Sequence, residues 1–67
     1  LTKKYLIEIK RYENWKEAVG QLRIYSRRYP DRQKVMYLFD VPKKNILDII
    51  LEDCAEDDIC LRVYHDE

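Results

Sequence analysis

Lys34-Val35-Met36-Tyr37-Leu38-Phe39-Asp40 is apolar at every position between its charged ends. A strand turns successive side chains to opposite faces, so a run that is apolar on both asks for cover on both and marks a central strand. Upstream lies Tyr5-Leu6-Ile7-Glu8-Ile9-Lys10-Arg11-Tyr12, where Tyr5, Ile7 and Ile9 alternate with Leu6, Glu8 and Lys10. That period of two predicts a strand over about residues 4–12. Downstream, Ile59-Cys60-Leu61-Arg62-Val63-Tyr64 predicts a third strand.

The segments between these strands read as helices. Asn14 offers an N-cap, and Glu17 three residues later completes a capping-box pattern. Trp15, Ala18, Val19, Leu22, Tyr25 and Tyr29 then form an apolar stripe at helical spacing. Pro30 disfavours the α conformation for its neighbour, so the helix is expected to end at about Tyr29, before a Pro30-Asp31 turn. Pro42 is expected to start a second helix over about residues 43–55, with Ile46, Leu47, Ile50, Leu51 and Cys54 as its stripe. Glu52, Asp53, Glu56, Asp57 and Asp58 oppose the macrodipole at its C-terminus, and that end is expected to fray. Gly20, the only glycine, lies inside the first helix at a cost of about 1 kcal/mol relative to alanine. Close approach of the helix to another backbone is one reading of it, and a plain helix defect the other.

Strands joined through helices imply parallel pairing with right-handed crossovers. The fold class is therefore α/β, a small β-α-β-α-β unit with a mostly parallel three-stranded sheet and two helices. With the strands in sequence order, both helices fall on one face. The other face of the doubly apolar strand is then bare, to be covered by a second copy or by the remainder of a parent chain.

The 67 residues form a single domain, residues 1–67. A chain this short buries only about 60% of the surface its unfolded form exposes, which leaves its stability marginal. With 39% charged residues, the apolar set is stretched thin, and oligomerisation or a larger parent protein is expected. The chain opens on Leu1 and soon enters a strand, which reads as a fragment lacking its N-terminal elements. The formal net charge is zero, yet residues 1–39 hold 10 Lys/Arg against 4 Asp/Glu, and residues 40–67 hold 3 against 9. A basic half can attract phosphate and an acidic half can pair with another subunit; solvated faces explain the pattern equally well.

Cys54 and Cys60 lack the spacing of a redox pair or a zinc site and are expected to be buried free thiols in a reducing compartment. No apolar run approaches the roughly 20 residues needed to span a membrane, and no signal-peptide pattern is present. A soluble intracellular protein, cytoplasmic or nuclear, is the expectation.

Glu8 and Lys10 stand two apart on a strand and so share one face. A strand carboxylate can hold Mg²⁺ or Mn²⁺ while leaving room for water and a substrate phosphate. A lysine beside it can position the attacking water and neutralise charge developing in the transition state. Gln21 and Tyr25 lie one helical turn apart and share a face that the crossover folds back over the strand. On an exposed strand, alternating charge also arises with no chemistry attached.

The combination Ile7-Glu8-Ile9-Lys10, a short linker, Trp15, Ala18-Val19-Gly20-Gln21-Leu22 and Tyr25 resembles the PD-(D/E)XK nuclease superfamily. It is most similar to the RecB-type and viral branch, with glutamine and tyrosine on the helix after the catalytic strand. The resemblance covers residues 5–40 and only loosely the C-terminal third. It implies a restriction-endonuclease-like core and Mg²⁺-dependent hydrolysis of DNA phosphodiester bonds. Glu8 then matches the metal-binding carboxylate, Lys10 the catalytic lysine, and Gln21 and Tyr25 the supporting helix pair. The family also has an aspartate on a preceding strand and a first helix packed on the sheet, and neither fits into Leu1–Lys4. Asp31, Asp40 and Asp48 do not stand where that aspartate belongs. The isolated chain is therefore expected to be inactive until completed; the alternative is a non-catalytic module of the same fold, acting in self-association or in protein or DNA binding.

Lys16, Arg23, Arg27 and Arg28 on the outside of the first helix are candidate phosphate contacts or simply a solvated face. His65, beside Asp66 and Glu67, reads as a solvated terminal residue. Tyr25, Tyr29 and Tyr37 are assigned to core stripes, and Tyr5, Tyr12 and Tyr64 to a subunit contact.

Overall fold

The run Lys34–Asp40 is the middle of the sheet. The structure, a computed structural model, describes residues 4–65 with the exception of the His65 side chain, so the expectation for His65, Asp66 and Glu67 lies outside the described residues. Its elements are β1 (Tyr5–Arg11), a 3-10 turn (Tyr12–Asn14), α1 (Trp15–Arg28), β2 (Gln33–Val41), α2 (Leu47–Glu56) and β3 (Ile59–His65). The order across the sheet is β1-β2-β3 and both pairings are parallel. This is the α/β unit that the alternation of strand and helix periods predicts.

Register decides which side chains meet. Leu6 sits opposite Lys34, Glu8 opposite Met36 and Lys10 opposite Leu38, while Met36 and Leu38 in turn face Leu61 and Val63 of β3. These residues share the face on which both helices lie. There Leu6, Met36 and Leu38 join Ala18, Val19 and Leu22 of α1 and Ile50 and Cys54 of α2 in one buried cluster. Each large aliphatic side chain removed from water in this way contributes about 1.5–3 kcal/mol. The opposite face carries Tyr5, Ile7 and Ile9 of β1, Val35, Tyr37 and Phe39 of β2, and Cys60, Arg62 and Tyr64 of β3. No described helix covers it. Tyr37 and Tyr64 stack there with ring centroids 5.7 Å apart, over a shallow depression that includes Ile7, Val35 and Cys60.

Several local expectations give way to specific contacts. Asn14 forms no side-chain cap; the chain enters α1 through the 3-10 turn, and the Trp15 N–H bonds the Tyr12 carbonyl instead. α2 begins at Leu47, not at residue 43, because Asn45 organises the approach. Its side-chain amide donates to the Pro42 carbonyl at 2.9 Å and its oxygen accepts from the Leu47 N–H at 3.2 Å. Such local side-chain bonds compete with a helical turn. Tyr12, assigned above to a subunit contact, is structural: its hydroxyl accepts the Ile46 N–H at 2.9 Å.

The acidic end of α2 is closed by specific bonds. Asp57 accepts the Arg23 Nε–H at 2.6 Å, the Asp57 N–H bonds the Cys54 carbonyl, and Asp58 turns the chain with φ 54°. Gly20 faces open space, with nothing within 4 Å of where a Cβ would stand, so close backbone approach is not its role. Ile46, Leu51 and Tyr25 are exposed, not members of the buried stripes. Tyr37 belongs to the open face, and Cys60 is only half-buried there, whereas Cys54 is sealed. Among the described residues, no helix is long and apolar enough to cross a membrane.

Candidate functional site

Glu8 and Lys10 lie on the helix-covered face because they alternate in phase with buried Leu6. β1 is an edge strand, so beyond Leu6 the sheet face opens into a groove walled by α1. Leu6, Ile7, Glu8, Tyr25, Arg28 and Tyr29 line it. Further along the same edge, the Lys10 ammonium donates to a Glu17 carboxylate oxygen at 3.3 Å. Glu17, Gln21, Tyr25 and Arg28 recur at spacings of three and four and form one flank of α1. Two of them line the groove and a third reaches Lys10, so this flank faces the β1 edge. Gln21 stands between Glu17 and Tyr25 on it. Its side-chain oxygen is buried and has no hydrogen-bond partner among the described residues. A buried acceptor left in this state costs about 1–3 kcal/mol.

Of the four residues proposed as a unit from the sequence, Glu8 and Tyr25 line this groove; Lys10 pairs with Glu17 further along the edge, and the Gln21 oxygen is buried on the same helix flank. Glu17 was not among them, although its position four residues before Gln21 carries the signal. The four basic residues do not stay together. Arg28 is on the groove flank beside Glu8. Lys16, Arg23 and Arg27 are on the other flank of α1, turned away from the groove. Lys16 sits over the Trp15 ring at 5.8 Å. Arg23 is taken up by Asp57; the hydrogen bond to that carboxylate, followed by its charge, raises the guanidinium pKa above the ordinary value. Arg23 thus ties α1 to the end of α2 and is not a free phosphate contact. No local pattern marks this pair, because the two residues meet only through the fold.

For a divalent cation the groove offers one carboxylate, Glu8. Among the described residues, no group of three His, Cys, Asp or Glu side chains is placed to hold a metal. Mg²⁺ is commonly bound through one or two carboxylates with waters and substrate phosphates making up an octahedron. Glu8 can be one such ligand, but the residues present do not fit the ion by themselves. Chemically, the groove presents a carboxylate, a phenol and a guanidinium, with the Lys10–Glu17 pair further along the same edge. That set suits an anionic ester whose charge grows as it reacts, provided a further acidic ligand is brought in.

At the far end of β1, Arg11 pairs with Asp40 and lies over the Phe39 ring at 5.4 Å. Asp40 follows a register shift between Leu38 and Val41 and has φ 55°, which turns it out of the strand. Asp40 is therefore committed to Arg11 and does not supply the second carboxylate.

No family model matches the chain, and no solved structure matches it. Among curated proteins it is similar to KilA-N domain-containing proteins of Acanthamoeba polyphaga mimivirus. One is 52% identical over 64 residues, which is 96% of this chain and 18% of that protein. Another is 47% identical over 64 residues, 96% of this chain and 26% of that protein. A third is 53% identical over 45 residues, 67% of this chain and 12% of that protein. The chain thus spans only a minor part of these viral relatives, and their names describe proteins much longer than it.

Proposed function

We propose that this chain is the later part of a PD-(D/E)XK-type nuclease core that hydrolyses DNA phosphodiester bonds once other segments of a longer viral polypeptide complete it. The observation that supports this is the β1 edge: Glu8 shares a groove with Tyr25 of α1, and Lys10 on the same strand face pairs with Glu17 of the same helix flank. The relatives are several times longer than the chain, which leaves ample length for a preceding strand and helix. In this reading Glu8 would hold Mg²⁺ or Mn²⁺ only together with a carboxylate from another segment. A bound cation would lower the pKa of water and screen the phosphate. Lys10 exchanges its contact with Glu17 for the scissile phosphate or the attacking water. Tyr25, which lines the groove with Glu8, orients the same group, and Gln21 supports it from the same helix flank.

The test is cleavage of supercoiled plasmid by the full-length polypeptide with Mg²⁺ or Mn²⁺. Lys10→Ala and Glu8→Gln are each expected to lower the rate by at least about a hundredfold. Full activity in both variants would remove the groove from the chemistry.

A second reading is favoured by the uncovered sheet face: a non-catalytic module of the same fold that self-associates through Ile9, Tyr37 and Tyr64. Parallel sheets are almost always covered on both faces. Sedimentation of the chain would then show a dimer that Ile9→Glu dissociates, and no metal would elicit cleavage. A monomer at high concentration argues against it.

A further inference from the structure

The α1–β2 turn places a second group of cations just beyond the groove. Arg28 and Tyr29 line the groove's lower end, and the Arg32 guanidinium stacks on the other side of this corner, 4.2 Å from the centre of the Tyr29 ring. Past Tyr29 is a hollow of about 460 Å³ at the N-terminal edge of the sheet, bordered by Lys4, Arg32 and Lys34, with Asp31 and Asp58 also on its rim. The turn is well fixed. The Arg32 N–H bonds the Tyr29 carbonyl at 3.1 Å, the Gln33 N–H bonds the Lys4 carbonyl at 2.8 Å, and the Gln33 side chain donates to the Asp58 carbonyl at 2.9 Å.

Among the described residues neither Arg32 nor Lys34 forms an ion pair, even though two carboxylates border the same hollow. Both are half-buried. A guanidinium placed over an aromatic ring keeps N–H donors available, and it loses little freedom when an anion arrives. A positioned, unpaired guanidinium or ammonium can give charge-assisted hydrogen bonds to a phosphate that reaches it.

We infer that this hollow binds backbone phosphates of the same DNA strand whose phosphodiester lies over Glu8, with Arg28, Arg32 and Lys34 forming a track that leads away from the groove. The direction of the track rests on the reading of that groove as the phosphodiester site. A polyanion fits better than a single small anion, because the cations are spread along a corner from Arg28 to Lys34 and do not converge on one point. Asp31 and Asp58 on the rim repel phosphate and so confine the backbone to the side of Arg32 and Lys34.

The experiment is a titration of a labelled DNA duplex with the full-length polypeptide, without divalent metal, over a series of salt concentrations. Arg32→Gln with Lys34→Gln is expected to weaken binding about tenfold near physiological salt and to reduce the salt slope by about two, roughly one for each phosphate contact. Arg32→Gln also removes a ring contact, so Lys34→Gln alone is the control: it stacks on nothing and must show about half of the change in slope. Unchanged affinity and slope in the double variant overturn the inference. So does an effect confined to Arg32→Gln, which marks a structural role. Plasmid cleavage keeps the two readings apart. If Lys10→Ala abolishes cleavage while the double variant binds like the parent, the track is wrong and the groove stands. If Lys10→Ala is silent while the double variant still loses affinity and slope, the groove reading fails and the hollow remains a phosphate site.

Discussion

On the face beneath the helices Leu6, Met36 and Leu38 are sealed from solvent, whereas on the reverse of the same strands Ile9 and Tyr64 leave 64% and 59% of their surface exposed. The covered face is aliphatic and closed by α1 and α2; the open face is aromatic and mixed, with Tyr37, Tyr64, Cys60 and Arg62 in place of a packed layer. One sheet thus does two jobs. Its stability comes from a single face, and the apolar content of the other is left over for contact.

The comparison is broken most directly by truncating one residue from each side. Leu38→Ala should cost about 2–5 kcal/mol in chemical unfolding, the usual range for a cavity in a closed core. If the open face is truly uncovered, the matching cut there, Tyr64→Ala, loses the stack on Tyr37 and should cost about 1 kcal/mol.

The thiols sharpen the contrast by pH. Burial, then the charges of Asp53 and Asp57, push Cys54 up to about 11 from an ordinary 9.0. The folded state therefore favours the protonated thiol. Its contribution is fully present below pH 9 and is lost as pH rises from 9 towards 11. A urea series should show the midpoint falling across that window, and Cys54→Ala should flatten that part of the fall. Thiol labelling gives the complementary result: Cys60 reacts in the folded chain and Cys54 only on unfolding.

Gly20→Ala should add about 1 kcal/mol of stability, since nothing stands where the new methyl would go. The smallest effect belongs to Ile9→Ser, within about 0.5 kcal/mol in the free chain. A loss there approaching that of Leu38→Ala would show that the open face is covered in solution.

The strand order and the bare face were legible because Val35–Phe39 is apolar on both sides, and parallel crossovers leave few ways to arrange that. That β1 carries Glu8 and Lys10 on the face packed against α1 was legible for the same reason: periods of two and 3.6 are local, and the crossover brings them together. What escaped was decided by contacts between distant segments. Arg23 looked like any exposed arginine until α2 brought Asp57 to it. Tyr12 looked like a surface aromatic until Ile46 presented an N–H. The Asn14 cap failed because the chain tightens into a 3-10 turn first, and Asn45, two residues before α2, became the residue that shapes a helix start.

The parallel register carries a consequence for assembly in time. No two strands are joined by a hairpin: Tyr5 must find Gln33 and Lys34 must find Ile59, each across an intervening helix. Among the described strands, β1 pairs with β2 only after β2 has emerged during synthesis, and β2 remains half-paired until β3 follows. The sheet has no stage at which part of it is made from local contacts, so the uncovered strands are most vulnerable to wrong partners before the last of them is complete.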